Sequence, residues 1–217
     1  MKEFKHLPGL DLIRVFGILV VVFYHYQVET AVRGLCPADF LPAMEPLVQV
    51  AVYTMTLLSG SCLCWQEKSR SWSMKRYLWG RFLAIYPLFW LCFFPIFFYS
   101  DIICGNNEGV APWKLLLSIV GVDGYFQSFT PTFYKIGEWY LGCILFLYAV
   151  FPVLWRMIRR RGVVLAAVGA LFAWLACCFV ENPGQLYPTL IGQLPLFFMG
   201  IFLGGCLPSL WIPGILA

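Results

Sequence analysis

The chain has 217 residues, of which 61% are hydrophobic and only 12% are charged, and its mean hydropathy is +0.78. A soluble domain of this size cannot hide so much apolar surface, so the composition indicates a polytopic membrane protein. The apolar runs approach the roughly 20 residues that a spanning helix needs, which excludes the ten-residue alternation of an outer-membrane barrel. The formal net charge is only +4, and we expect no nucleic-acid partner.

The first apolar run, residues 10–26, reads LDLIRVFGILVVVFYHY and carries ionisable residues at both ends. Asp11 and Arg14 are three residues apart, so they share a helix face on which they can pair. Arg14 and His25 are eleven residues apart, which places them on nearly one face, about 16 Å apart along the axis. Ionisable groups inside a spanning helix are by default a functional-site hypothesis. The alternative is that Arg14 extends to a lipid headgroup and that His25 lies at the interface.

The apolar runs predict an all-α, polytopic transmembrane bundle that forms one domain over residues 1–217, with membrane lipid around it. Full spans are predicted at residues 11–29, 45–65, 77–99, 138–156, 163–180 and 191–207. Residues 113–122 are apolar but too short to cross a membrane alone. If they form a re-entrant half-helix that lines a cavity, the basic blocks all lie on one side, as the positive-inside rule requires. These blocks hold twelve of the fifteen basic residues: Lys2, Lys5, Arg14; Lys68, Arg70, Lys75, Arg76, Arg81; Arg156, Arg159, Arg160, Arg161. The N-terminus is then cytoplasmic, and the protein lies in an inner or plasma membrane.

Three patches stand out from the hydrophobic background: the first run with Arg14 and His25, RYLWGRFLAIYP at 76–87, and GEWYLGCILFLYAVFP at 137–152. In this order and at these distances they resemble the integral-membrane acyltransferases called acyltransferase family 3. Family members add acetyl or other acyl groups to sugars of cell-surface polysaccharide, lipopolysaccharide or peptidoglycan. The family's basic residue, separated by ten residues from a histidine, is matched by Arg14 and His25. Its RFLxIYP motif is matched by residues 81–87, and its later Trp-x-Leu segment by Trp139, Leu141, Tyr148 and Pro152.

Three features depart from the family pattern. Members often carry a second arginine where this chain has Ala84, and many carry a glutamate where it has Ile144. Members also have about ten spans, whereas this sequence predicts six and a half. The resemblance therefore implies that the C-terminal spans of the family are missing.

The resemblance implies a membrane O-acyltransferase that moves an acyl group, with acetyl expected, from acyl-CoA to a hydroxyl of an extracytoplasmic sugar or lipid-linked glycan. His25 and Arg14 are the expected catalytic residues, because histidine titrates near neutrality and suits a general base. Arginines bind phosphates in pairs of hydrogen bonds, so Arg81, Arg76 and Arg14 are expected to hold the donor. Glu138, Trp139 and Asp11 are the expected acceptor-binding residues. No metal is expected, because no spacing among the nine cysteines suits one.

Each of these residues also has a plainer interpretation. Arg76 and Arg81 stand where any membrane protein carries basic residues, and Glu138 can serve only as a helix cap. Two other functions stay open. One is a transport module in which Arg14, His25 and Glu138 line a path for an anionic or acylated solute. The other is a non-catalytic membrane fragment that folds with a partner.

Overall fold

The computed structural model describes residues 8–35, 37–68, 72–106, 109–126, 129–157, 169 and 190–210. Within these ranges all regular structure is helical and no strand occurs, which confirms the predicted all-α class. The α-helices are α1 (Pro8–Val32), α2 (Leu41–Lys68), α3 (Met74–Phe97), α4 (Leu115–Val120), α5 (Trp139–Met157) and α6 (Leu190–Leu210). A π-helical turn, Phe98–Ile103, follows α3, and short 3-10 turns lie at Ala38–Phe40, Pro112–Lys114 and Asp123–Tyr125.

Four stretches of the described chain are long and apolar enough to cross a membrane: Gly9–Val32, Leu41–Glu67, Met74–Ile103 and Trp139–Met157. They coincide with the predicted spans at 11–29, 45–65, 77–99 and 138–156. The predicted span at 191–207 coincides with α6, whose described apolar stretch, Gly192–Gly205, is shorter than the other four. The predicted span at 163–180 lies outside the described residues apart from Gly169. The chain is therefore an integral membrane protein, and the total of about six spans stays a prediction.

The chain divides into two compact units, and the single domain predicted from the sequence stays a prediction. The described helices of the first unit are α1, α2 and α6 from Ile191 onward. Here α1 lies along α2, with Val20, Val48 and Ala51 buried in one cluster and Tyr24 packed against it. Gly17 lets the two helices approach closely, since a Cβ at this position would lie 3.2 Å from the Met55 methyl.

The contact between α2 and α6 is made by small and polar residues. A Cβ at Gly200 would lie 2.1 Å from the carbonyl oxygen of Leu57, so only glycine fits there. The Ser61 hydroxyl donates to the Gly200 carbonyl across the contact at 2.8 Å, and the Thr56 hydroxyl donates to the Gln193 side-chain oxygen at 2.6 Å. Close backbone approach at small residues, supported by hydroxyl hydrogen bonds, is the way helices associate where lipid provides no hydrophobic driving force.

The second unit contains α3, α4 and α5 up to Arg156. Aromatic rings join α3 to α5: Tyr77 stacks on Phe151 at 5.4 Å, and the Tyr77 hydroxyl donates to the Tyr148 carbonyl at 2.8 Å. Further along α3, buried Phe89 and Phe93 recur at one-turn spacing and pack with Phe133. Large rings at this spacing bury much apolar area and fix the helix rotation.

The short apolar segment predicted at 113–122 forms a 3-10 turn followed by α4, which is six residues long and so too short to cross a membrane. Its re-entrant placement stays a prediction. Helix α4 ends at Gly121, whose φ of 78° is the left-handed conformation that glycine favours. Its last carbonyls find partners on α3, because Trp90 Nε1 donates to the Ile119 oxygen at 2.9 Å and the Tyr86 hydroxyl to the Val120 oxygen at 3.0 Å. These bonds give hydrogen-bond donors to carbonyl groups that would otherwise lack them at a helix end.

Candidate functional site

Arg14 lies on α1 and is held by two partners within the first unit. Its Nη1 donates to the Asp11 carboxylate at 3.1 Å, which confirms the pairing expected from the three-residue spacing. Its Nη2 donates to the Cys62 sulfur on α2 at 2.9 Å. The side chain is 37% exposed, so the guanidinium is partly covered yet still open to a further partner. Arg14 is therefore oriented before any ligand binds.

His25 lies on the same helix and is exposed, so α2 does not cover it within this unit. Its imidazole meets the neighbouring Tyr24 ring edge-on, with 5.8 Å between ring centroids. Tyr24 itself packs against the α1–α2 cluster, so His25 stands at the edge of that packed face. The imidazole is accessible to a hydroxyl that approaches α1 from the side opposite α2.

Two of the three arginines predicted to hold the donor, Arg76 and Arg81, lie near the start of α3. They are five residues apart, which rotates them about 140° around the axis, so they do not share a face. Arg76 is exposed. Arg81 is half-buried, and its guanidinium lies over the Tyr148 ring of α5 at 5.5 Å from the centroid. A cation above an aromatic face is attracted to it and keeps its charge, so Arg81 is positioned without being neutralised.

Glu138 lies directly before the first residue of α5 and is buried, with 3% of its surface exposed. Its carboxylate accepts hydrogen bonds from the backbone N–H groups of Lys135 at 3.2 Å and Ile136 at 3.3 Å. Burial raises the pKa of this carboxyl, the two backbone bonds lower it in part, and the nearby charge of Asp123 raises it. Trp139 is half-buried beside it, and the backbone N–H of Trp139 donates to the Tyr134 hydroxyl at 3.4 Å.

Asp123 is a residue that the sequence did not single out, although it is fully buried close to Glu138. Neither of its oxygens has a partner in hydrogen-bond geometry. The Ser118 hydroxyl and the N–H groups of Asp123 and Gly124 lie beside it and offset its burial only in part, so its pKa is raised. The signal was weak, since an aspartate two residues after a glycine turn is typical of any loop.

A second buried contact in this unit pairs Lys135 with Asp101 of the π-helical turn. The Lys135 Nζ lies 2.9 Å from Asp101 Oδ1, and the Asp101 side chain is 1% exposed. Lys135 also donates to the Ser100 hydroxyl at 3.3 Å. The loop before α5 is thus held to the π-helical turn that follows α3, which fixes the position of Glu138 before α5.

No group of three or more histidine, cysteine, aspartate or glutamate side chains within the described part of the chain is arranged to hold a metal ion. The structure brings Arg14 together with Asp11 on α1, and Arg81 together with Tyr148. It also brings Glu138 together with Asp123. Ala84, one turn beyond Arg81, is exposed, and Ile144 on α5 is buried. The second unit therefore has no charged side chain at either of the positions, Ala84 and Ile144, where family members often carry an arginine and a glutamate.

Residues 7–207 match the model of a protein family described as an acyltransferase domain, that of acyltransferase family 3. The match includes all three sequence patches that carried the resemblance. The curated proteins and the solved structures compared with the chain give no match.

Proposed function

Because the chain belongs to acyltransferase family 3, whose model it matches from residue 7 to residue 207, we propose that it transfers an acyl group from acyl-CoA to a hydroxyl of an extracytoplasmic sugar or lipid-linked glycan. Acetyl is the expected acyl group. The family match is the observation that carries the proposal, and it supports a membrane acyltransferase in general. The donor and the acceptor are the finer part of the proposal and rest on the residues below.

Acyl transfer to a hydroxyl requires a general base close to that hydroxyl. In the proposal His25 takes the hydroxyl proton while the hydroxyl oxygen attacks the thioester carbonyl carbon. The carbon–sulfur bond of the thioester then breaks, the coenzyme A thiolate leaves, and the histidine returns the proton to it. Support comes from the exposure of the imidazole on α1.

The donor carries several phosphate charges, which the arginines of the chain suit. Arg14 is oriented by Asp11 and Cys62 and stays partly exposed. Arg76 is exposed, and Arg81 keeps its charge above Tyr148. We propose that Arg14, Arg76 and Arg81 bind phosphate groups of acyl-CoA, and that Arg14 contributes to catalysis by holding the donor so that its thioester reaches His25.

Glu138, Trp139 and Asp11 are the proposed acceptor-binding residues. A carboxylate and a tryptophan side by side are suited to a sugar, since the first accepts bonds from hydroxyl groups and the second offers an apolar face. Glu138 already accepts two backbone bonds and is buried, so an acceptor reaches its remaining lone pairs only if the start of α5 becomes accessible.

The test is transfer of label from acetyl-CoA carrying a radioactive acetyl group, given to membranes that contain the protein. The expected result is label in the glycan fraction that mild alkali removes, as for an ester of a hydroxyl. Release of coenzyme A without labelled glycan would overturn the assigned acceptor. Uptake of solute with no turnover of acetyl-CoA would identify a transport module instead.

A further inference from the structure

Four aromatic rings form a continuous cluster where the start of α3 meets the end of α5. Tyr77 of α3 is stacked on Phe151 of α5 with 5.4 Å between ring centroids, and Phe151 is stacked on Trp155 at 6.2 Å. Trp72, which precedes α3, has its ring centroid 5.5 Å from that of Tyr77 and 6.3 Å from that of Phe151. The chain therefore places an indole from outside α3 against the contact between the two helices.

Trp72 differs from the other three rings of this cluster in its exposure. Tyr77, Phe151 and Trp155 are buried, whereas Trp72 is 37% exposed. The buried rings support the indole on one side, and the open part of its surface is left for a further contact. A supported, partly open aromatic ring is the kind of surface on which nucleobases stack, because every base has a flat π face.

Two exposed cations border the aromatic cluster. Arg76 directly precedes Tyr77, and Arg156 directly follows Trp155. Helices α3 and α5 run in opposite directions, since the start of α3 packs on the end of α5 and the loop before α5 contacts the turn after α3. One residue corresponds to about 100° of rotation, so the two arginines are turned to opposite sides of the aromatic contact. Neither helix contains an aspartate or glutamate that could offset their charge.

We propose that Trp72 stacks on the adenine ring of acyl-CoA, and that Arg76 and Arg156 bind the phosphate groups carried by its ribose. This assignment rests on the proposed function and deepens it, because it names the part of the donor that this end of the second unit recognises. The nucleotide of coenzyme A carries phosphate at two positions of its ribose, so cations on both sides of an aromatic ring match its charges. The indole accepts a flat ring, and the arginines select one that is also anionic.

The aromatic cluster also leads to the next arginine of α3. The Tyr77 hydroxyl donates to the Tyr148 carbonyl at 2.8 Å, and the Arg81 guanidinium lies over the Tyr148 ring at 5.5 Å from its centroid. Arg81 is five residues beyond Arg76, which is about 7.5 Å along the helix axis. The order Trp72, Arg76, Arg81 therefore matches the order of base, ribose phosphate and diphosphate in the donor.

The test is equilibrium binding to the purified full chain in detergent, with two probes that differ only in the base. One is adenosine bisphosphate with the two phosphates at the ribose positions found in coenzyme A, and the other is the same ribose bisphosphate without adenine. The wild-type protein is expected to bind the first about 5- to 150-fold more tightly, the range that one base–aromatic stack contributes. Trp72→Ala should abolish this preference, and Trp72→Phe, which keeps a ring, should retain part of it.

Arg156→Gln should weaken both probes by the same factor, because it removes a charge and leaves the aromatic cluster in place. Trp113→Ala removes an exposed indole elsewhere in the second unit and is the matched control, which should bind both probes as the wild type does. Equal affinity of the wild-type protein for the two probes would overturn the proposal, and so would a preference that survives in Trp72→Ala. If Trp72→Ala lowers only the binding of phosphatidylglycerol micelles, the indole contacts a lipid headgroup, which also overturns it.

The binding measurement needs no acyl transfer, so its outcome can be separated from that of the proposed function. Transfer of labelled acetyl by a protein that shows no preference for the base would refute the adenine site alone. A preference for the base that depends on Trp72, without any transfer of acetyl, would support the adenine site and refute the reaction.

Discussion

The guanidinium of Arg14 on α1 donates to the sulfur of Cys62 on α2, with 2.9 Å between Nη2 and Sγ. This contact joins a residue of the family motif to one that no motif marks. It also means that the orientation of Arg14 depends on the α1–α2 pairing and not on α1 alone.

Removing the Cys62 partner tests whether this orientation serves donor binding. A typical intramolecular hydrogen bond contributes about 0.5–1.5 kcal/mol, which corresponds to a change of about 2- to 10-fold in an equilibrium constant. In Cys62→Ala we expect the KM for acyl-CoA to rise by about this factor, with kcat close to wild type, in a steady-state assay of coenzyme A release.

Arg14→Lys keeps the charge but loses the planar fork, so it should raise the KM at least as much as Cys62→Ala. Cys92→Ala changes an exposed cysteine of α3 and is the control. Unchanged KM in both test variants would show that Arg14 has no part in holding the donor.

The α2–α6 contact is expected to tolerate no side chain at Gly200. Alanine there would put its Cβ 2.1 Å from the Leu57 oxygen, and overpacking of this kind costs about 1–3 kcal/mol. We expect Gly200→Ala to lower the thermal unfolding midpoint of the purified protein. In Gly205→Ala the new methyl would meet only the Cys64 sulfur at 3.7 Å, an ordinary contact, so its midpoint should stay near that of the wild type. Equal midpoints for the two variants would refute this packing.

The buried Lys135–Asp101 pair should be costly to break from one side. Lys135→Met leaves the Asp101 carboxylate buried without its cation, and losses of about 3–5 kcal/mol are usual in that case. The double variant Lys135→Met with Asp101→Asn removes both charges and should recover much of the loss in a thermal unfolding experiment.

Arg33→Met breaks an exposed pair with Glu29, whose side chains are 67% and 59% exposed, and is the matched control. Exposed pairs contribute about 0–1 kcal/mol, so its midpoint should hardly move. A double variant no more stable than Lys135→Met alone would mean that the charge of Asp101 is not what the lysine compensates.

Four of the predicted spans and the short helix at 113–122 could be read from the sequence, because apolar length and helix termination are local properties. The Asp11–Arg14 pair was also predictable, since it depends only on the three-residue spacing within α1. The contact of Arg14 with Cys62 and the packing of the turn at Gly124 against Trp139 were not predictable. Each joins residues far apart in the chain, and each depends on the rotation of one packed segment against another. No sequence period encodes that rotation.

We propose that His25 takes the proton of the acceptor hydroxyl, and the rate of coenzyme A release from acetyl-CoA in the presence of acceptor tests this role most directly. Tyr26→Ala is the matched control, since Tyr26 is the next residue on α1 and its side chain is 63% exposed. General-base catalysis contributes about 10²- to 10⁴-fold, so His25→Gln should slow release by that factor, while Tyr26→Ala should stay near the wild-type rate. A wild-type rate in His25→Gln would contradict the assignment.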